Sequence, residues 1–545
     1  RTVDLTGLAD VAGDDPEPEF VAINADNVAV VTLQENNHLA LVDVAAGTVT
    51  GHFSAGAVDL EAIDIVEDDI VSGTGALSGV VREPDAVAWL DNGRLFTANE
   101  GDYEGGSRGV SVFDTSGTVL FDSGNSLEHL GMAAGHYPEG RAENKGVEPE
   151  GADVGVFGDT TYAFALSERG NFVAIYADGG PDGDVSFVQA LPTGVGPEGV
   201  VAIPSRDLMV VSSEVDEEDN GVRAALTLYT LTAETAPYPH IASATDEATG
   251  APIGWGALSG MTGDPTDPNT LYAVSDSAYA VSRLYVIDAS QSPAVITAGI
   301  DITKDGEPVA YDLEGIAPAA GGGFWLSSEG NAERENPLQQ RSMVIKVSAD
   351  GTVEQEIFFP EEAYEHATSR GFEGVTAWGE AGAEKVMVAV QSTWKDDPEG
   401  TTKLGIFSEA DEAWTFVHYP LQAAQSPRGG WVGLSEVTWL GDQKFAVLER
   451  DNQPGDYAVI KTLTTIDLAG VTPAPLGGDI PVVEKTQAVD MLPIMQSTNG
   501  WISDKPEGIA VAADGRVFMV SDNDALDDAT GETLFIELGT VEELF

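Results

Sequence analysis

Cysteine is absent from this 545-residue chain, which excludes disulfides, thiolate zinc sites, iron–sulfur clusters and cysteine nucleophiles. Histidine is scarce. The seven present form no His-x-His or His-Glu-x-x-His pair, so a histidine-based transition-metal centre is not expected. No apolar run is long enough to span a bilayer. No Gly-x-Ser-x-Gly elbow, phosphate loop or dinucleotide fingerprint stands in a credible context. Basic residues are few: 25 Lys and Arg face 91 Asp and Glu, a formal net charge of −66. Such a surface repels nucleic acid and anionic lipid, and neither is expected as a partner. It suits a solvated surface in a salty habitat, drift in an acidic proteome, or sites for divalent cations with hard oxygen ligands. An anionic substrate would need a local basic patch or a metal to overcome this field. The chain opens at Arg1 without a signal peptide, which leaves export open. Zero cysteine suits an exported bacterial protein, so a periplasmic or extracellular location is expected.

What the chain does have is a cassette that returns nine times. An acidic turn leads into an apolar strand, and after a short turn a second strand ends in another polar group. The first halves include Pro18-Glu19-Phe20-Val21, Glu83-Pro84-Asp85-Ala86, Glu148-Pro149-Glu150-Gly151, Gly196-Pro197-Glu198-Gly199 and Ala257-Leu258-Ser259-Gly260. They continue with Asp312-Leu313-Glu314-Gly315, Gly371-Phe372-Glu373-Gly374, Gly433-Leu434-Ser435-Glu436 and Lys505-Pro506-Glu507-Gly508. The second halves include Asn99-Glu100-Gly101-Asp102, Ser167-Glu168-Arg169, Ser328-Glu329-Gly330, Gln391-Ser392-Thr393 and Glu449-Arg450-Asp451. Each cassette runs on into further strands with period-2 patterning, β-branched residues and Gly/Asp turns. Helical periodicity is weak, apart from a short helix expected within Glu361 to Thr368.

A four-stranded unit at a pitch of roughly 50–70 residues marks a β-propeller blade. The expected fold is therefore all-β, a propeller of four-stranded blades. Nine units allow one large ring, or a complete six- or seven-bladed propeller beside part of another. Residues 1–195 are expected as N-terminal blades and 196–545 as the C-terminal set. The connection from Gly199 to Gly254, with the loop-like Glu217-Glu218-Asp219-Asn220 and Ala236-Pro237-Tyr238-Pro239, is an alternative seam. The segment Thr2 to Leu8 is expected to complete the three-stranded last unit.

In this geometry the acidic turns share one channel mouth. The candidate metal ligands are Glu100, Asp102, Glu150, Glu168, Glu198, Glu214, Asp276, Glu329, Glu373, Glu436, Asp451, Glu507 and Asp522. So many carboxylates converge in charged form only when cations neutralise them, and calcium, with six to eight oxygens in loose geometry, fits best. Asp522-Asn523-Asp524 with Asp527 and Asp528 resembles the opening of a calcium loop, without the glycine and distal glutamate of an EF-hand. The bland reading is that such carboxylates cap backbone amides. Arg82, Arg108, Arg141, Lys145, Arg169, Arg370 and Lys505 sit beside the acidic turns or in loops of the same rim. In a chain so poor in bases they are candidates for holding a phosphate, and otherwise plain ion pairs. His136, in the polar insertion from Asp122 to Gly151, is a candidate proton donor.

Arg82-Glu83-Pro84-Asp85-Ala86-Val87, Ala98-Asn99-Glu100-Gly101-Asp102-Tyr103-Glu104-Gly105-Gly106-Ser107-Arg108-Gly109 and Gly254-Trp255-Gly256-Ala257-Leu258-Ser259 carry a resemblance. So do Asp312-Leu313-Glu314-Gly315-Ile316, Glu449-Arg450-Asp451-Asn452-Gln453 and Asp504-Lys505-Pro506-Glu507-Gly508. Together they resemble bacterial proteins of the "esterase-like activity of phytase" family, over essentially the whole chain. The resemblance implies a β-propeller and calcium-dependent phosphoester hydrolysis of a phosphorylated small molecule, with Glu449, Arg450, Glu314 and His136 as catalytic candidates. It also implies that the chain is the C-terminal part of a longer exported protein. Two other readings stand beside it. One is a non-catalytic calcium-binding propeller that presents its rim to a partner, favoured by Ser259 and Gln391 where other cassettes carry carboxylates. The other is a lactonase-like propeller with a single axial metal.

Overall fold

The computed structural model describes residues 2–181, 183–217, 221–497, 501–526 and 529–545. Glu218, Asp219 and Asn220 of the expected loop, and Asp527 and Asp528 of the calcium-loop-like run, lie outside the described residues. The fold is an all-β propeller, built from antiparallel sheets whose strands follow one another in sequence order. The chain divides into two compact units.

The first unit comprises residues 1–239, 243–255 and 524–532. Its four sheets begin with the strands Pro18–Ile23, Val87–Asp91, Pro149–Phe157 and Pro197–Ile203. Each of these first strands neighbours the next. The fourth sheet has three strands, ending at Ala225–Thr230. A hairpin, Ala57–Ile63 with Gly75–Val81, and one helix, Ser126–Ala134, are inserted. The expected boundary at 195/196 falls between the third and fourth sheets of this unit.

The second unit comprises residues 240–242, 256–523 and 533–545. Its five first strands are Leu258–Gly263, Leu313–Pro318, Phe372–Trp378, Val432–Gly441 and Pro506–Val511. Each lies against the next, and the last lies against the first. The unit is therefore a closed five-bladed ring. The expectation of one large ring, or of six or seven blades in the complete one, is corrected. Cassette spacing counts the blades but carries no information on how many share an axis. Thr2–Leu8 forms no strand, and the last sheet keeps its three strands. The expected short helix is present as Glu361–Tyr364.

Why five strands close around one axis is visible in the glycine that four of the five cassettes carry. A Cβ on Gly260 would lie 2.6 Å from Gly315 Cα, and one on Gly315 2.7 Å from the Val375 nitrogen. One on Gly508 would lie 2.8 Å from the Met261 nitrogen. Backbone meets backbone here, so no side chain fits. The residue before each glycine sits in a β-bulge: the register slips at Leu258/Gly260, Leu313/Gly315, Phe372/Val375 and Pro506/Gly508. A bulge re-aims one side chain out of the ladder. Away from the axis the blades pack through apolar clusters. Trp325, Phe372, Val388, Trp414 and Phe416 form one such seam, each large side chain contributing about 1.5–3 kcal/mol of burial.

Candidate functional site

The bulges of the second unit hold Ser259, Glu314, Glu373, Ser435 and Glu507, one from each blade. Glu373 and Glu507 are buried, and Glu314 is partly buried. Burial first, then the charges of Glu373, Asp312, Glu329 and Asp276, push the Glu314 carboxyl well above the usual carboxylate range. Burial and the charges of Glu507 and Glu329 do the same to Glu373. Glu329, at the end of the second strand of its blade, is pushed up to about 8 by burial and Asp312. These groups therefore feel one another as a single acidic centre. Arg450 partly compensates it: Nε donates to Ser435 Oγ at 2.9 Å, and the guanidinium pairs with Glu507. Gln391 Nε2 donates to Glu373 Oε1 at 2.7 Å. Glu507 Oε2 and Asp312 Oδ2 are buried without a hydrogen-bond partner.

Glu436 is the exception in the ring. Its blade has the bulge at Ser435, so Glu436 occupies the place the other blades give to glycine. A Cβ on Gly374 would lie 2.4 Å from Glu436 Cα. The side chain is buried, and its Oε1 accepts from the Val437 amide at 2.8 Å. Burial raises its pKa well above the ordinary value, against the pull of the Val437, Ile509 and Met261 amides.

Glu449 and Asp451 of this unit are tied into its packing. Glu449 is fully buried, bound by Lys485 Nζ at 2.6 Å, the Gln422 amide at 2.6 Å and Tyr419 Oη at 3.2 Å. It follows the opposite face of the strand from Arg450, as consecutive strand residues must. Asp451 is tied to Lys461 at 3.0 Å and accepts from the Val459 and Ile460 amides. Asp522 is buried with Lys505 3.5 Å away, and Asp276 accepts from the Ala278 amide at 2.7 Å. Arg370 makes no ion pair among the described residues; its guanidinium rests over the Trp431 ring, 4.3 Å from the centroid.

In the first unit the bulge positions hold Glu150 and Glu198, joined by Glu168. One oxygen from each of the three lies within 4.8 Å of the others, and Glu100, Glu148 and Glu168 form a second such group. Burial and the Glu168 charge push Glu150 up to about 10, and burial holds Glu168 at about 7. Asp85 is raised to about 7 by burial and by Glu100. Bases neutralise this group directly: Lys145 pairs with Glu100 at 2.8 Å and Asp102 at 3.3 Å, Arg169 with Glu168 at 2.9 Å and Glu148 at 3.2 Å, and Arg141 with Glu148. Glu214 is exposed and belongs to neither group.

Three candidates of this unit are taken up by packing. Arg82 is buried against Asp122 at 2.8 Å and the Ala55 and Ala57 carbonyls. Arg108 is buried against Glu128 at 3.1 Å and three backbone carbonyls. His136 is fully buried between the Gly170 carbonyl, at 2.6 Å, and Tyr238 Oη, and burial lowers it to about 4. Asp85, Glu148 and Asp312 join the acidic groups although sequence reasoning did not select them as ligands. The cassette carried the signal: Asp85 stands where Glu150 stands in the next repeat. Trp431 had no such signal.

A family model described as "Phytase-like: Esterase-like activity of phytase" matches residues 253–525. A second, the "Choice-of-anchor I domain", matches residues 3–105 and 103–181. The chain belongs to the phytase-like family. No curated protein matches it at a significant level. Among solved structures, the chain is similar to a streptogramin B lyase (10% identity over 79% of this chain and 90% of that one, TM-score 0.23). It is also similar to virginiamycin B lyase from Staphylococcus aureus (10%, 72% and 96%, TM-score 0.25). A third is U3-55K (8%, 71% and 93%, TM-score 0.25). These likenesses carry no argument about activity. Among the described residues no helix is long and apolar enough to cross a membrane.

Proposed function

We propose that the five-bladed ring is a calcium-dependent phosphoester hydrolase that works outside the cytoplasm on a phosphorylated small molecule. The observation that carries this reading is the axial set Glu314, Glu373 and Glu507, with the buried Glu507 Oε2 beside it, which has no hydrogen-bond partner among the described residues, and Asp312, whose Oδ2 has only Arg334 at 3.7 Å. The donors are all hard oxygens without sulfur or imidazole, which fits calcium. Glu314, Glu373 and Glu507 would hold the ion once their side chains draw together, since their oxygens do not lie within 4.8 Å of one another as those of Glu150, Glu168 and Glu198 do. Bound there, calcium supplies Lewis-acid polarisation of a phosphoryl oxygen and a more acidic water. Arg450 fixes the Glu507 carboxylate through its ion pair and is itself fixed by Ser435. Arg370 holds the anionic oxygens of the ester, orienting it towards the axis. Glu329 keeps a proton near neutral pH for the leaving oxygen.

The test is phosphate release from p-nitrophenyl phosphate by the purified chain, with calcium and with a chelator. Release that needs calcium and is lost in Glu373→Gln supports the reading. Release unaffected by chelation, or none with calcium bound, refutes it. For the first unit a second reading is favoured, that of a non-catalytic cation-binding or assembly module. Lys145, Arg141 and Arg169 are already paired with its carboxylates, so those bases are not free to take an anionic substrate.

A further inference from the structure

Arg370 stands out in a protein with 91 acidic and 25 basic residues. It is partly buried, stands next to the cassette of its blade, and makes neither an ion pair nor a side-chain hydrogen bond among the described residues. Only the charge of Glu329 acts favourably on it, while burial disfavours its charged form. The Gly371 amide beside it donates to Glu329 Oε1 at 2.8 Å, so the residue is anchored to the acidic centre through its backbone. Its guanidinium rests over the Trp431 ring, 4.3 Å from the centroid, and Arg450 lies over the same ring at 5.4 Å.

Trp431 is itself fixed. Its amide donates to Asn452 Oδ1 at 2.9 Å, and the Asn452 amide returns a bond to the Trp431 carbonyl at 3.2 Å. The ring lies on Gly433, where a Cβ would come within 2.7 Å of Cζ3. An aromatic face attracts a guanidinium without using its N–H donors. A carboxylate would use them up. The ring therefore holds Arg370 in place while leaving its hydrogen-bonding fork open.

We propose that Trp431 is a positioning residue that holds Arg370 as an open clamp for a tetrahedral oxyanion, a phosphate group, at the mouth of the five-bladed ring. The inference rests on the function proposed above. It names a residue through which that function would recognise its substrate class.

The test pairs kinetics with binding on the full chain loaded with calcium. Trp431→Leu is expected to raise KM for p-nitrophenyl phosphate about 10-fold and to change kcat less than about 2-fold; Trp431→Phe, which keeps an aromatic face, is expected to recover most of the loss. Arg370→Ala is expected to reproduce the KM effect, and adding Trp431→Leu to it should cost little more. Inorganic phosphate binding, by calorimetry, should weaken in step. If the wild type binds phosphate and loses it in Arg370→Ala and Trp431→Leu but hydrolyses nothing, the clamp stands and the hydrolase reading falls. Unchanged KM and phosphate affinity in Trp431→Leu, or equal loss in Trp431→Phe, overturns the inference. So does absence of phosphate binding by the wild type.

Discussion

The two units use one cassette and arrive at opposite electrostatics. In the first, Glu100, Glu148 and Glu168 meet Lys145, Arg141 and Arg169 in direct ion pairs. In the second, among the described residues, Arg450 pairs with the set through Glu507, Arg334 lies 3.7 Å from the neighbouring Asp312, and Arg370 is kept apart on an aromatic ring. The first arrangement quenches its own field. The second leaves carboxyls on the axis that hold their protons far above the usual range and, among the described residues, Arg370 without an ion pair, and that separation suits a site for a metal and an anionic ester. The same repeat therefore pairs its acids directly with bases in one unit and leaves most of them unpaired among the described residues in the other, and the placement of the bases makes the difference.

The sharpest way to break the comparison is to neutralise one carboxylate in each unit. Glu373→Gln is expected to lower calcium-dependent phosphate release by about 100-fold or more. Glu150→Gln, its counterpart in the first unit, is expected to leave turnover within about 2-fold. Equal losses, measured as initial rates at saturating calcium, would place the chemistry in both units or in neither. A smaller effect is expected from the ring glycines. Gly374→Ala forces a methyl group against Glu436 backbone and should cost about 1–3 kcal/mol in denaturant unfolding. Gly199→Ala meets only the Ser212 hydroxyl, at 2.9 Å, and should cost less.

The comparison also predicts a pH dependence. Glu329, raised to about 8, and Glu150, raised to about 10, bind protons in the folded state that the unfolded chain gives up in the ordinary carboxylate range. The stability they confer is complete in acid and is lost as pH rises from about 4.5 through those values. Thermal melts in chelator should therefore fall between pH 5 and pH 8. Calcium should restore more of the loss at pH 8 than at pH 5, because it replaces the protons. A melting temperature that rises with pH in chelator contradicts the raised values.

The nine cassettes, the four-stranded blades and the acidic centre were legible in the sequence, because period-2 patterning and the recurrent acid–glycine pair report directly on strand and bulge. Side-chain direction was less so. Glu449 and Arg450 are adjacent, yet strand parity sends Arg450 to the axis and Glu449 to Lys485. Glu436 looked like a cassette acid, but a count along Gly433-Leu434-Ser435-Glu436 puts it at the glycine position. Arg82, Arg108 and His136 carried the right chemistry in turns that fold inward, and only packing reveals that. The five-bladed closure followed from neither composition nor spacing, since ring size is set by how closely inner strands approach.

Crystals of the chain grown with calcium, with data collected for the anomalous signal of the ion, test the central claim most directly. The account predicts a calcium peak coordinated by carboxylate oxygens of Glu314, Glu373 and Glu507. Calcium found only among other carboxylates, with those three side chains turned away from any ion, would contradict it.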